Sequence, residues 1–323
     1  MAAPTATTVL GTSALVAVTV IWAFSFGLIG RFLDGVDPFF VGAARLLIAG
    51  LCFLPFLRIG DRTVVQRLEL AGIGAVQFGI MYLCYLAAFR HLEAWQVALF
   101  SALTPIWVAG IDAALRRRWE SRFFLAAALS VAGAVLIRAK GMPGGGFLQG
   151  FLLMQAANVA FAGGQIWFRE WKFRHPAKPE KEVFALLYGG ALALVAGAAL
   201  VRGTFAGFPQ LPPSGWLVLV YLGTIASGLG FFLWNYGASR VSAGFLAAAN
   251  NLVVPLGVLA AIAITGRQPD WVPLAAGSAL ILGGLVAGRR RAERSPGNPV
   301  AAGSGGQERP PSEYRSTKKK NWL

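Results

Sequence analysis

Eight polar side chains stand inside otherwise apolar stretches and offer the chemistry of the chain: Gln77, Tyr82, Tyr85, Ser101, Asn158, Ser227, Asn235 and Asn251. They are amides, hydroxyls and phenols, groups that donate and accept hydrogen bonds. Without an activating base beside them they are poor nucleophiles, so they suit holding a solute better than transforming one. Gln77, Met81 and Tyr85 follow at i, i+4 and i+8 on one helical face, and Ser227, Phe231 and Asn235 do the same further on. Ser101 and Asn251 each stand one turn before a proline, Pro105 and Pro255. Each proline removes a backbone donor and frees a carbonyl, so both are expected to be bending points, tolerable at depth beside a cavity. Gln155, Asn158 and Gln165 form a further polar stripe, and Trp22, Phe24 and Ser25 an aromatic one. Any one of these polar residues could equally be glue between helices. Their recurrence in matched pairs favours the lining of a mostly apolar cavity for a small amphipathic molecule.

Enzyme chemistry fails on inventory. The two histidines, His91 and His175, fall in separate loops, and no HExxH, nucleophile elbow or Cys–His dyad is present. No catalytic residue, metal ligand set or cofactor is expected. Cys52 and Cys84 lie in apolar runs and read as small buried hydrophobes.

The elements that must position the polar set come in two copies. A shift of 150 places Arg90 on Arg240, Pro105 on Pro255 and Gly133 on Gly283. The same shift places Gln77 on Ser227, Tyr85 on Asn235, Ser101 on Asn251 and Glu120 on Asp270, with no gap needed. Apolar runs long enough to cross a bilayer occur at 10–30, 38–57, 69–89, 94–115, 121–138, 147–168, 183–201, 215–236, 242–264 and 271–288. The expected fold is therefore an all-α integral membrane protein of ten transmembrane helices. Residues 1–9 form a cytoplasmic start, 10–138 one five-helix repeat and 147–288 the second, and 289–323 a disordered basic tail. Five spans per copy, an odd number, make the second copy enter the membrane inverted. That design is recurrent among secondary transporters, whose substrate site lies near the midplane between the repeats.

Composition agrees. The 323 residues are 56% hydrophobic and only 13% charged, and 40 are glycine, which permits close helix approach in lipid. The net charge of +15 is confined to loops and tail, so no basic domain for nucleic acid is expected. With the N-terminus inside, the inner loops and tail hold 22 Lys and Arg against six outside, which predicts both termini in the cytoplasm. Trp95, Trp119, Trp216 and Trp271 fall at span ends and read as interfacial belt residues. Arg45 lies two turns into a span and is expected to pair with Asp34 or Asp37 at the outer end. No Asp or Glu occupies a midplane position, so a carboxylate-borne proton relay has no candidate.

Several features together resemble a known superfamily. They are the WAFSF cluster in the first span, Arg45 in the second, YLCYLAAF before the break at Arg90, proline in the fourth and ninth spans, and ES followed by GAVLI closing the first copy. In order and spacing they resemble the EamA type of the drug/metabolite transporter superfamily, over about residues 10–288. Within it the chain is most similar to the YddG-type aromatic amino-acid exporters. That resemblance implies alternating-access export of aromatic and other neutral amino acids across a bacterial inner membrane. The polar set would line the path, and one chain with both copies fused could act as a monomer. Drug or nucleotide-sugar carriage on the same fold, or a non-transporting scaffold or receptor, are the alternatives. The membrane-embedded Glu in the first span of the small multidrug relatives has no counterpart here.

Overall fold

Helices account for the regular structure, with no strand among the described residues. The structure is a computed structural model. It describes residues 6–60, 62–115, 117, 125, 128–129, 131–133, 136, 146–204, 209–240, 243–266 and 270–288; of 6–8, 109, 243–252, 254 and 285–288 only the backbone is described. The helical rods all fall in one compact unit, Met1–Arg289.

Nine rods are described. They are α1 (Ala6–Phe32), α2 (Pro38–Phe53), α3 (Val64–Ala88), α4 (Ala94–Leu115), α5 (Gly146–Arg174), α6 (Phe184–Val201), α7 (Pro213–Ala238), α8 (Ala243–Thr265) and α9 (Trp271–Gly288). Seven of them are long and apolar enough to cross a membrane by length and composition. The nine rods together overlap nine of the ten apolar runs in the sequence, while 121–138 lies largely outside the described residues. The rod surfaces are apolar where they are exposed, with Leu10, Leu51, Leu148 and Leu217 each more than half accessible. Such a surface belongs against lipid, because in water it would be a large sticky patch. The chain is a multi-pass membrane protein.

Local sequence explains where the rods begin and break. Asp37 caps α2 by accepting the amides of Phe39 and Phe40, with Pro38 in the first turn. Thr63 and Gln66 form a capping box at the start of α3, and Glu93 and Gln96 form another at the start of α4. The bounds of α3 and α4, moved by 150, become 214–238 and 244–265, within one residue of α7 and α8. Both α3 and α7 unwind to a π-turn at the matched place, Ala75–Ile80 and Leu222–Leu229, around Gln77 and Ser227. A π-turn leaves carbonyls without their usual partners and often marks a functional position.

The two prolines are treated differently. A 3-10 step over Ser101–Leu103 interrupts α4 just before Pro105, whereas Pro255 sits inside the continuous α8.

Packing exchanges partners between the two sets of four rods. α1 lies against α8 and α5 against α4; α3 lies against α5 and α7 against α1; α2 lies against α7 and α6 against α3. α2 with α6, and α4 with α8, pair across the middle. Small residues allow the closest of these approaches. A Cβ on Gly74 would stand 1.9 Å from the Leu187 carbonyl oxygen, and one on Gly190 2.0 Å from that of Ala71, so α3 and α6 meet backbone to backbone.

Candidate functional site

The π-turn of α7 is the hub. Its Ser227 hydroxyl donates to the Leu222 carbonyl at 2.6 Å, which leaves the oxygen to accept from others. Arg45 Nε of α2 donates to it at 3.1 Å, and the Tyr82 hydroxyl of α3 lies 2.7 Å away. Because the one serine proton is already committed, Tyr82 must be the donor. Two carbonyls of the turn, Ser227 and Gly228, lie 2.8 and 2.9 Å from the Tyr188 hydroxyl of α6. A third, Ala226, accepts from Trp22 Nε1 of α1 at 2.8 Å. Side chains from four other rods thus converge on the π-turn, Tyr188 and Trp22 on its backbone carbonyls and Arg45 and Tyr82 on its serine.

Beside the hub runs an aromatic floor. Phe231 stacks on Phe78 at 4.5 Å and meets Trp22 edge-on at 5.4 Å, with Tyr82 at 5.7 Å. The Arg45 guanidinium lies over the Tyr82 ring, 4.5 Å from its centre. Arg45 is 3% exposed, and among the described residues no carboxylate lies within ion-pair distance of it. This corrects the pairing expected with Asp34 or Asp37: Asp37 caps α2 and forms an ion pair with Arg90 at 3.1 Å instead. Arg45 turns inward because Ser227 and Tyr82 give it polar and aromatic neighbours. Ser227 is 182 residues away in the chain, which no local pattern in the sequence reveals.

The polar residues singled out from sequence separate into two groups. Gln77, Tyr82, Ser227 and Asn235 come together around the π-turns, with Gln77 Nε2 3.2 Å from Asn235 Oδ1. Tyr85 joins their edge, packed near Tyr82 and T-shaped against Phe26 and Phe89. Asn158 lies elsewhere, at the 3-10 step of α4. Its Nδ2 donates to the Phe100 carbonyl at 2.9 Å, and its Oδ1 accepts from Thr104 at 3.1 Å. Ser101 donates within its own rod to the Ala98 carbonyl. The side chain of Asn251 lies outside the described residues. Tyr188 and Thr104 carry no signal in the sequence that would place them here, and Arg45 is expected there in an ion pair and not at the site. Trp95 is no belt residue either: it is 6% exposed and packed in the core around α4, while Trp271 is 55% exposed. Cys52 faces outward and Cys84 is half-buried, so Cys52 is not the buried hydrophobe expected.

The two ends of the bundle differ. At one end ion pairs join the two sets of rods: Arg174 to Glu69, Arg62 to Glu182 at 3.4 Å and Arg58 to Glu182 at 3.6 Å. Glu180 adds Arg240 at 2.8 Å and Lys172 at 3.7 Å. At the other end a cavity of about 440 Å³ opens among Leu33, Val36, Val41, Leu86, Arg90 and Glu93. Val41 stands one turn from Arg45 along α2, and Leu86 one turn from Tyr82 along α3.

Polar groups buried between apolar rods fit solute passage. Comparison with known proteins agrees, since the EamA-like transporter family matches over residues 9–139 and 182–288. The chain belongs to that family. It is 43% identical to the "Probable biotin transporter" of Pseudomonas aeruginosa over 282 residues, 85% of this chain and 96% of that protein. To the "Biotin transporter" of Escherichia coli it is 36% identical over 278 residues, covering 85% and 92%. The "Probable terminal-alkyne amino-acid exporter" of Streptantibioticus cattleyicolor is 24% identical over 304 residues, covering 88% and 97%. A solved crystal structure superposes with a TM-score of 0.62 at 21% identity, over 91% of this chain and all of that one, which speaks to fold alone. This EamA-family chain is thus a transporter, and its relatives include carriers named for different solutes.

Proposed function

We propose that this EamA-family transporter carries biotin, or a closely similar small carboxylate, across the bacterial inner membrane by alternating access. The observation that carries the reading is the 43% identity to a protein named as a probable biotin transporter, over nearly the whole of both chains. Proteins named for amino-acid or amino-acid metabolite export match at only 24–25%, which weighs against aromatic amino acids as the main solute.

The architecture behind this is ten helices in two inverted five-helix halves, 10–138 and 147–288, with both termini and the 289–323 tail in the cytoplasm. The exchanged packing partners of α1–α4 and α5–α8, and the π-turns at matched places, support a pseudo-two-fold arrangement. The cross-linked end carries the basic loops assigned to the cytoplasm, and the hollow lies at the other. That combination fits a carrier closed inside and approachable from outside. Gln77, Tyr82, Tyr85, Ser227 and Asn235 would line the path between the halves. Ser101 of α4, Asn158 of α5 and Asn251 of α8 would border it, and Pro105 and Pro255 would be the points about which α4 and α8 flex. With both halves in one chain, a monomer suffices.

The test is uptake of labelled biotin by cells that neither make biotin nor have a carrier of their own, with and without this chain, beside labelled phenylalanine. Accumulation of biotin is the expected result. Flux of phenylalanine without biotin would return the substrate to the amino acids.

A further inference from the structure

Among the described residues six buried side-chain atoms have no hydrogen-bond partner, and two of them, one a donor and one an acceptor, belong to the residues gathered around the π-turns. The donor is Arg45 Nη1. A guanidinium has five N–H groups to satisfy; here Nε finds Ser227, the ring of Tyr82 lies beneath, and Nη1 has nothing. A buried cation without a counter-charge is costly, by several kcal/mol in a low-dielectric site. The acceptor is Gln77 Oε1. Its identity follows from the bonds around it: Asn235 Nδ2 donates to the Phe231 carbonyl at 2.9 Å, so Asn235 turns its oxygen to Gln77. Gln77 must then offer its nitrogen to Asn235, which leaves its own oxygen over.

These two orphans are joined by an apolar bridge. Arg45 sits on Tyr82, Tyr82 meets Phe231 at 5.7 Å, and Phe231 leads to Asn235 and Gln77 through its own carbonyl and rod. Gln77 and Tyr82 are five residues apart on α3, roughly 7 Å along the axis. The floor of the outer cavity, at Val41 and Leu86, is one helical turn from Arg45 and Tyr82.

We infer that Arg45 receives the carboxylate of the transported solute, and that Gln77 Oε1 accepts an N–H from its other end. This inference rests on the reading of the chain as a carrier of a biotin-like acid, and it names which pole of the solute meets which residue. A carboxylate supplies two acceptors to the Nη1 edge of the guanidinium and the missing negative charge. A cyclic urea supplies the N–H that Gln77 lacks. The hydrocarbon between them lies on Tyr82 and Phe231. The requirement is for an acid at one end, a donor at the other and an apolar middle.

The experiment uses purified full-length protein in liposomes, with labelled biotin competed by unlabelled biotin or by biotinamide, in which a carboxamide replaces the acid. Wild type should favour the acid by at least about tenfold, the scale of one lost charge-assisted contact. Arg45→Gln should bring the acid–amide ratio close to one. Gln77→Leu should weaken both competitors alike and leave their ratio unchanged. Equal competition by acid and amide in wild type, or a ratio that survives Arg45→Gln, overturns the assignment of Arg45. A Gln77→Leu protein that binds both competitors as wild type does overturns the assignment of Gln77. Should Arg45→Gln not fold, the wild-type ratio and Arg45→Lys, which keeps the charge and should keep most of the preference, decide the matter. If phenylalanine moves and biotin does not, the biotin reading fails by itself; phenylalanine against phenylalaninamide then puts the same question to Arg45.

Discussion

The Tyr82 and Ser227 hydroxyls lie 2.7 Å apart, joining α3 to the π-turn of α7. Tyr82 donates, because Ser227 spends its proton on Leu222. Removing one partner from each side should therefore give unequal results. Tyr82→Phe loses one donor, keeps the ring under Arg45, and should cost about 1 kcal/mol. Ser227→Ala strips the acceptor from both Arg45 and Tyr82 and should cost about 2–3 kcal/mol, as expected when buried polar groups are left bare. Thermal unfolding in detergent should show Ser227→Ala as the less stable of the two, with Tyr82→Phe near wild type. The opposite order would mean that the hub is held by the tyrosine ring and not by the serine oxygen.

Tyr188 makes a comparable demand from α6. Its hydroxyl faces the Ser227 and Gly228 carbonyls of the π-turn. Tyr188→Phe fills the same space but removes that donor from both oxygens in a dry interior, at a cost of about 1–3 kcal/mol. The expected outcome is a lower unfolding temperature together with slower transport. Unchanged stability would show that the carbonyls find partners elsewhere.

How far the sequence could have led differs from residue to residue. The bounds of α4, α7 and α8 are legible to within two residues because the copies match over them, with chain breaks near Arg90 and Arg240, whereas α3 begins at Val64, behind the Thr63 cap and five residues before the apolar run at 69. Gln77, Tyr82, Ser227 and Asn235 were readable as a set, since each is polar where its neighbours are not. The π-turns were not, because an extra residue in a turn leaves no signature in an unbroken apolar run. Arg45 was misjudged for the same reason that surface charges are usually judged well: nearness in sequence put Asp34 and Asp37 within reach. Depth in the bundle decided otherwise, and its partners come from α3 and α7. Trp95 misled similarly, since a tryptophan at a rod's end looks interfacial until a second rod covers it.

Close approach of α3 and α6 gives a prediction with no polar chemistry in it. Gly190→Ala would place a methyl group 2.0 Å from the Ala71 carbonyl oxygen, on backbone that cannot rotate aside. Overpacking of this kind costs about 1–3 kcal/mol when the rods can part and more when they cannot. Folded yield should fall sharply. Gly189→Ala, one residue earlier and with open space around it, should behave as wild type. Equal yields of the two variants would mean that α6 shifts freely along α3.

The ion pairs at the closed end should set the balance between carrier states. Glu69 and Glu182 reach across to Arg174 and Arg62, and these bonds must part for that end to open. Part-exposed pairs are worth up to about 1 kcal/mol each. Changing Glu69 and Glu182 together to Gln should therefore shift the equilibrium toward opening by roughly tenfold. A cysteine in place of Phe168, 1% exposed beside Phe184 and Trp171, should react faster with an impermeant thiol reagent in that double variant, with Cys52 and Cys84 replaced by Ala. No change in rate would mean that the pairs are not what keeps that end closed.

Asn158 and Ser101 separate support from solute contact. Asn158 spends its amide nitrogen on the Phe100 carbonyl and its oxygen on Thr104, at the 3-10 step where α4 changes direction toward Pro105. Asn158→Ala takes its donor from the Phe100 carbonyl in a buried place, while Thr104 keeps its bond to the Ser101 carbonyl, so folded yield and transport should fall together, with a loss of about 1–3 kcal/mol in stability. The Ser101 hydroxyl bonds only to a carbonyl of its own rod, so Ser101→Ala should leave the stability within about 0.5 kcal/mol of wild type. Its effect on transport alone then reports whether the hydroxyl meets the solute. A Ser101→Ala protein that is both stable and fully active removes Ser101 from the path. An Asn158→Ala protein that folds normally but carries nothing would make Asn158 a solute contact instead of a strut.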